Sequence, residues 1–163
     1  MNIGPATLVI IGNTIGSVGC LPACYLQAKF INIVTLRKKR VLLLNPLRKD
    51  VVSAYHAADL FVFGSTIECS PIVLFEAAAS RTPFLSSDCG NAAEIAEWTG
   101  GGKILSANTA DGMARQIEEM LSNKPRLKSM AESGFDAWKK RFTWQSIATQ
   151  YEDVYRQIAV AAR

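Results

Sequence analysis

The chain has 163 residues, of which 49% are hydrophobic and 20% charged, with a formal net charge of +4 and a pI near 9.0. This balance fits one ordinary globular domain and excludes a disordered polar chain; Gly, Pro and Asn break the uncharged runs before they reach the roughly 20 apolar residues that span a bilayer. Cys20, Cys24, Cys69 and Cys89 have no paired C-x-x-C spacing and His56 is the single histidine, so reduced thiols and no metal site are expected. The opening "MNIGPATLVIIG" lacks a basic signal-like segment, which makes a cytoplasmic location the expectation.

In chain order, "TLVIIG" at 7–12 reads as a strand, nearly continuous in apolarity. "CYLQAKFINIVTLRKK" is ambiguous: Leu26, Phe30, Ile33 and Arg37 keep helical spacing, while "FINIVTL" has strand propensity. Alternation along the rest of the chain favours a helix there. The dense basic cluster "RKKR", Arg37 to Arg40, suits nucleic acid or anionic lipid in one reading and a solvated helix end in the other. No recognition motif or interleaved aromatic accompanies it, so no nucleic-acid partner is expected.

Further strands are expected at "RVLLLN" (40–45), "LFVFGS" (60–65), "PFLSS" (83–87) and "GKILS" (102–106), with helices between them at "KDVVSAYHAAD" (49–59), "SPIVLFEAAAS" (70–80) and "NAAEIAEW" (91–98). His56 falls in the first of those helices as a surface or satisfied histidine, and Gly100 to Gly102 read as a turn rather than a phosphate cradle. "TADGMARQIEEMLS" at 109–122 opens a wholly helical remainder, in which Trp144, Ile147, Ala148, Tyr151, Val154, Tyr155 and Ile158 form a stripe expected to face a core. Strand and helix alternate, which predicts an α/β fold: a Rossmann-like parallel sheet with flanking helices, ending in a helical segment.

The stretch "ECSPIVLFE", Glu68 to Glu76, carries the chemistry. Ser70 is expected to cap the helix and Pro71 to occupy its first position, leaving Glu68 in the loop before it and Glu76 inside an otherwise apolar helix. In open parallel sheets ligands bind beyond the carboxyl ends of strands, and a helix N-terminus favours an anion, phosphate above all. Five residues separate Pro71 from Glu76, roughly 7.5 Å along a helix. Carboxylates also bind vicinal hydroxyls, so the spacing suits a diphosphate flanked by hydroxyls, as in a nucleotide sugar. Glu76 paired with Arg81 or a buried tyrosine, and Glu68 solvated in its loop, are the structural alternatives.

The run "AADLFVFGSTIECSPIVLFEAAASRTPFLSSDCGNAAEI", with its E-x7-E spacing of Glu68 and Glu76, resembles the signature region of the group 1 retaining glycosyltransferases of the two-domain GT-B fold. "LVIIGN", "SDCGNAAEI" and "RFTWQSIATQYEDVY" are similar to other parts of that family's carboxy-terminal, donor-binding domain. The resemblance implies transfer of a sugar from a nucleoside diphosphate sugar to an acceptor hydroxyl with retention of configuration and without a metal or other cofactor. Glu68 would then lie near the donor sugar and the reacting centre as the catalytic residue, and Glu76 would hold the donor ribose. The segment Ser70, Pro71, Ile72 and Val73 would face the diphosphate, and Leu44 and Asn45 the base.

The chain departs from the family at Cys69-Ser70-Pro71, where Gly-Phe-Gly is frequent, and Pro71 gives up an N–H. The family's first strand, its glycine loop with an Arg/Lys pair and its acceptor-binding amino-terminal domain have no counterpart here. That strand lies between those formed by "TLVII" and "LFVF", so its absence would leave two open strand edges. Residues 1–163 are thus expected to be one donor-binding domain of a larger enzyme, inactive alone, with an unidentified glycan, lipid or small-molecule acceptor. Its mildly basic surface would suit peripheral contact with anionic lipid. The alternative expectation is a non-catalytic nucleotide-binding remnant or partner-dependent module.

Overall fold

A computed structural model describes residues 4–12, 20–36, 38–44 and 47–161. They form two compact units, residues 1–54 and 55–163. Asn45 lies outside the described residues.

In the first unit, β1 (Ala6–Ile11) pairs in parallel with β2 (Lys39–Leu44), register running from Ala6 opposite Lys39 to Ile11 opposite Leu44. The ambiguous stretch is helical, α1 (Cys20–Val34), as the right-handed crossover between parallel strands requires. It ends before the basic cluster, whose Lys39 and Arg40 open β2 and do not decorate a helix end. The outer edge of β2 is closed by side chains of this connection. Asn32 donates from Nδ2 to the Val41 carbonyl at 3.1 Å and accepts the Val41 N–H on Oδ1 at 2.8 Å. The Thr35 hydroxyl accepts the Lys39 N–H at 3.2 Å and shares its proton between the Ile31 and Lys39 carbonyls, at 2.7 and 2.9 Å. Among the described residues β2 is the strand partner of β1, whose Leu8 to Ile11 stay exposed on both faces.

α2 (Arg48–Ala57) carries His56, which is exposed, and leads into the second unit. There β3 (Phe61–Phe63), β4 (Phe84–Ser86) and β5 (Gly102–Ile104) form a parallel sheet in the order β3-β4-β5. β4 is its central strand, and Phe84, Leu85 and Ser86 have no solvent exposure. The connecting helices α3 (Ile72–Ala79) and α4 (Ala92–Thr99) are followed by α5 (Ala110–Ser122), α6 (Lys124–Arg141) and α7 (Trp144–Ala161).

Local chemistry fixes the helix ends. Thr109 caps α5 by accepting the Gly112 N–H at 3.1 Å, and Asn123 caps α6 by accepting that of Arg126 at 3.1 Å. α3 ends in two C-terminal hydrogen bonds, Arg81 N–H to the Ala78 carbonyl and Thr82 N–H to that of Ala77, with Arg81 left-handed at φ +55°. The Arg81 guanidinium lies 3.5 Å from the Phe135 ring centroid and 3.2 Å from Glu132 Oε2. α4 stops at Gly100, also left-handed, and the glycine run forms the expected turn into β5.

The core has two parts. Leu74, Ala77, Ala78, Phe84, Ala92 and Ile95 are buried where α3 and α4 meet the sheet; Leu85, Leu105, Met120, Leu127 and Met130 join α5 and α6 to its other side. α7 corrects an expectation. It is helical, but Trp144, Tyr151, Val154, Tyr155 and Ile158 are exposed, Trp144 to 90%. A helical period shows that one face is apolar without supplying a surface to cover it, and no described element does so. No helix among the described residues is long and apolar enough to cross a membrane.

Helix α6 reaches the sheet because Gly134 has no side chain: a methyl there would stand 3.0 Å from the Gly101 Cα and 3.6 Å from the Ala78 Cβ. Gly134→Val is expected to destabilise the fold by about 1–3 kcal/mol through overpacking. Urea unfolding should show a lower midpoint with an unchanged slope.

Candidate functional site

The site is built at the carboxyl end of β3 and β4. After Phe63 the chain enters the loop 64–70, and after Ser86 the loop 87–91. These loops hold each other. The Ser87 N–H donates to the Phe63 carbonyl at 2.9 Å, and its hydroxyl donates to the Ser65 carbonyl. The Asn91 N–H donates to the Cys69 carbonyl at 3.2 Å. Between them lies Gly90, left-handed at φ +54°, where an added Cβ would stand 2.3 Å from the Cys69 oxygen and 2.7 Å from that of Glu68. Only a residue without a side chain permits this contact.

Glu68, Cys69 and Ser70 are exposed on the loop so held, while Pro71 is buried. The start of α3 corrects the expected cap. Pro71, at φ −74° and ψ 90°, is the N-cap, with no side-chain capping bond, and Ser70 lies one residue outside. The proline ring is drawn into the interior, and its extended ψ moves the first helical residue to Ile72. The amides of Ile72 and Val73 are therefore the leading ones, since Leu74 N–H already donates to the Pro71 carbonyl at 3.1 Å. From Ile72, Glu76 is four residues on, roughly 6 Å along the axis.

At about 100° per residue, Leu74, Ala77 and Ala78 share one face of α3 and Glu76 lies on the opposite one. The first three are essentially unexposed, whereas Glu76 is half-buried. The Tyr55 hydroxyl donates to Glu76 Oε2 at 3.4 Å, which realises the tyrosine contact anticipated for this carboxylate. Arg81, the other anticipated partner, donates to Glu132. The structure thus places Glu68, Ser70, Pro71, Ile72, Val73 and Glu76 on one continuous loop and helix start. Gly90, Asn91 and Tyr55 complete the surroundings; of these only the "SDCGNAAEI" resemblance hinted at the first two, and a 21-residue separation hid Tyr55. Among the described residues no cluster of three or more His, Cys, Asp or Glu could hold a metal ion.

Residues 5–136 match the family described as glycosyl transferases group 1. The chain belongs to that family. A D-inositol 3-phosphate glycosyltransferase of Corynebacterium aurimucosum is 31% identical over 107 residues, 66% of this chain and 25% of that protein. A GDP-mannose-dependent alpha-(1-6)-phosphatidylinositol monomannoside mannosyltransferase of Mycobacterium tuberculosis is 26% identical over 115 residues, 66% of this chain and 30% of its own length. The matched stretch therefore spans about a quarter to a third of these relatives.

Solved structures agree on the GT-B fold. HepE of Anabaena, crystallised in complex with UDP, aligns with TM-score 0.74 at 21% identity over 93% of this chain and 41% of its own. The sucrose-phosphate synthase of Thermosynechococcus elongatus aligns with TM-score 0.71 at 23% identity, covering 95% of this chain and 38% of that one.

If Gly90 sets the position of the Glu68 loop, Gly90→Ala should both lower the unfolding temperature and displace that loop. Hydrogen exchange of the 64–70 amides is expected to speed up relative to those of α5, whose packing does not involve Gly90.

Proposed function

We propose that this chain supplies the donor site of a glycosyltransferase that moves a sugar from a nucleoside diphosphate sugar to an acceptor hydroxyl with retention of configuration. Family membership over residues 5–136 supports the reaction class. The observation that carries the site is the placement of two carboxylates on either side of the α3 N-terminus, Glu68 in the loop before it and Glu76 within its first turns. In this reading Glu76 holds the donor ribose, and Glu68 lies against the sugar and reacting centre. The acceptor comes from outside the described units, as a glycan, lipid or small molecule.

The diphosphate falls to the amides of Ile72 and Val73 at the positive end of α3, joined by Ser70, because Pro71 has no N–H to offer. As the bond to the leaving diphosphate breaks, negative charge grows on its oxygens. Fixed N–H dipoles stabilise that charge without reorganising, the role that a bound cation fills elsewhere. Glu68 stands on a loop whose main chain is fastened through Gly90 and Ser87 close to these amides.

The HepE structure contains UDP, a starch synthase of the same fold binds ADP and the mycobacterial relative is named for GDP-mannose, so UDP-, GDP- and ADP-sugars are the donors to test. In the complete enzyme, Glu76→Ala should weaken donor binding about 10- to 100-fold, the worth of hydrogen bonds to a charged group. Glu68→Ala should reduce kcat more than it raises KM. Unchanged kinetics in both variants would refute the assignment, and donor binding by calorimetry without turnover in the complete enzyme would favour a non-catalytic nucleotide-binding module.

A further inference from the structure

The carboxylate assigned to the ribose is not isolated in the structure, and its neighbour is unusually well fixed. Tyr55 is 9% exposed and donates its hydroxyl to Glu76 Oε2 at 3.4 Å. Its ring meets Phe61 edge-on, centroids 5.2 Å apart at 65°, and Phe61 in turn stacks with Phe63 at the end of β3. Its main chain is held as firmly: the buried Thr82 hydroxyl donates to the Tyr55 carbonyl at 2.7 Å, and the Ala58 N–H donates to the same oxygen at 3.1 Å. Tyr55 is thus clamped by β3 on its ring and by the α3–β4 connection on its backbone.

We propose that Tyr55 is a positioning residue that orients the Glu76 carboxylate for a vicinal diol, an inference that rests on the ribose role given to Glu76 above. A glutamate has three side-chain torsions, the last of them broad, so a carboxylate four residues into a helix is not aimed by its backbone alone. A phenolic O–H 3.4 Å from one oxygen restrains that oxygen and so narrows the orientations open to the group. A carboxylate offers about four acceptor positions, enough for the phenol and two ribose hydroxyls together.

The test is calorimetry on the intact 163-residue chain with UDP, GDP and ADP, and with the 2′,3′-dideoxy form of whichever binds. Tyr55→Phe keeps the ring contacts and removes the hydroxyl. The expected result is a roughly 3- to 10-fold loss of affinity for the ribonucleotide, little change for the dideoxy form, and a non-additive effect when combined with Glu76→Gln. An equal loss on both nucleotides, or none on either, would overturn the positioning role. A wild-type chain that binds ribo- and dideoxynucleotide equally would instead remove the ribose role of Glu76, and failure to bind any nucleoside diphosphate would remove the donor site itself. Thermal unfolding of Tyr55→Phe separates a structural tyrosine, which would show a lowered Tm with nucleotide selectivity intact.

Discussion

The site depends on how closely α3 packs against α6 and the sheet. Leu74 and Ala77 are wholly unexposed and Ala78 nearly so, and the approach is close because Ala78, Gly101 and Gly134 present almost no side chain to one another. Close-packed interiors transmit displacement and do not absorb it. A helix confined in this way has no freedom to slide or rotate, so its N-terminal amides and the outward Glu76 keep fixed positions relative to β3 and β4. The aromatic contact of Phe142 with Phe75 at 4.7 Å braces the same helix from the end of α6, and its contact with Trp98 at 6.2 Å ties in α4. Polar chemistry at the start of α3 is thus positioned by apolar packing along its length.

Most of the order of elements can be read from residue patterns. The five strands lie within a residue or two of the apolar runs that announce them; at β4, which is covered on both faces, Phe84 and Leu85 are apolar at successive positions. Glu76 stands out for a related reason, since a charge inside an otherwise apolar helix has few structural explanations, whereas Glu68, in the loop, is singled out by its E-x7-E spacing to it. What escaped was tertiary. Ser70-Pro71 has the composition of a cap and first turn, yet burial of the proline outweighs that local preference and starts α3 at Ile72. The Tyr55–Glu76 and Gly90–Cys69 contacts join segments about 20 residues apart, and no local pattern encodes such a meeting.

α7 shows the complementary limit. Its apolar stripe has the period of a packed helix, and its Tyr151 and Tyr155 rings contact each other at 6.3 Å while remaining mostly exposed. Periodicity reports what a helix could bury; the surroundings decide whether it does. The family relationship is consistent with both observations, since the matched region ends at residue 136, before α7 begins.

The treatment of the two edges in the first unit gives that sheet a direction. On β2, Asn32 and Thr35 use up the outward N–H and C=O groups of Val41 and Lys39, in the manner of a strand too short to be one. On β1, six uncharged residues from Ala6 to Ile11 lack any such cover among the described residues. Among the described residues the two edges are thus unlike: side chains stand in for a neighbouring strand along the first half of β2, and nothing does so along β1.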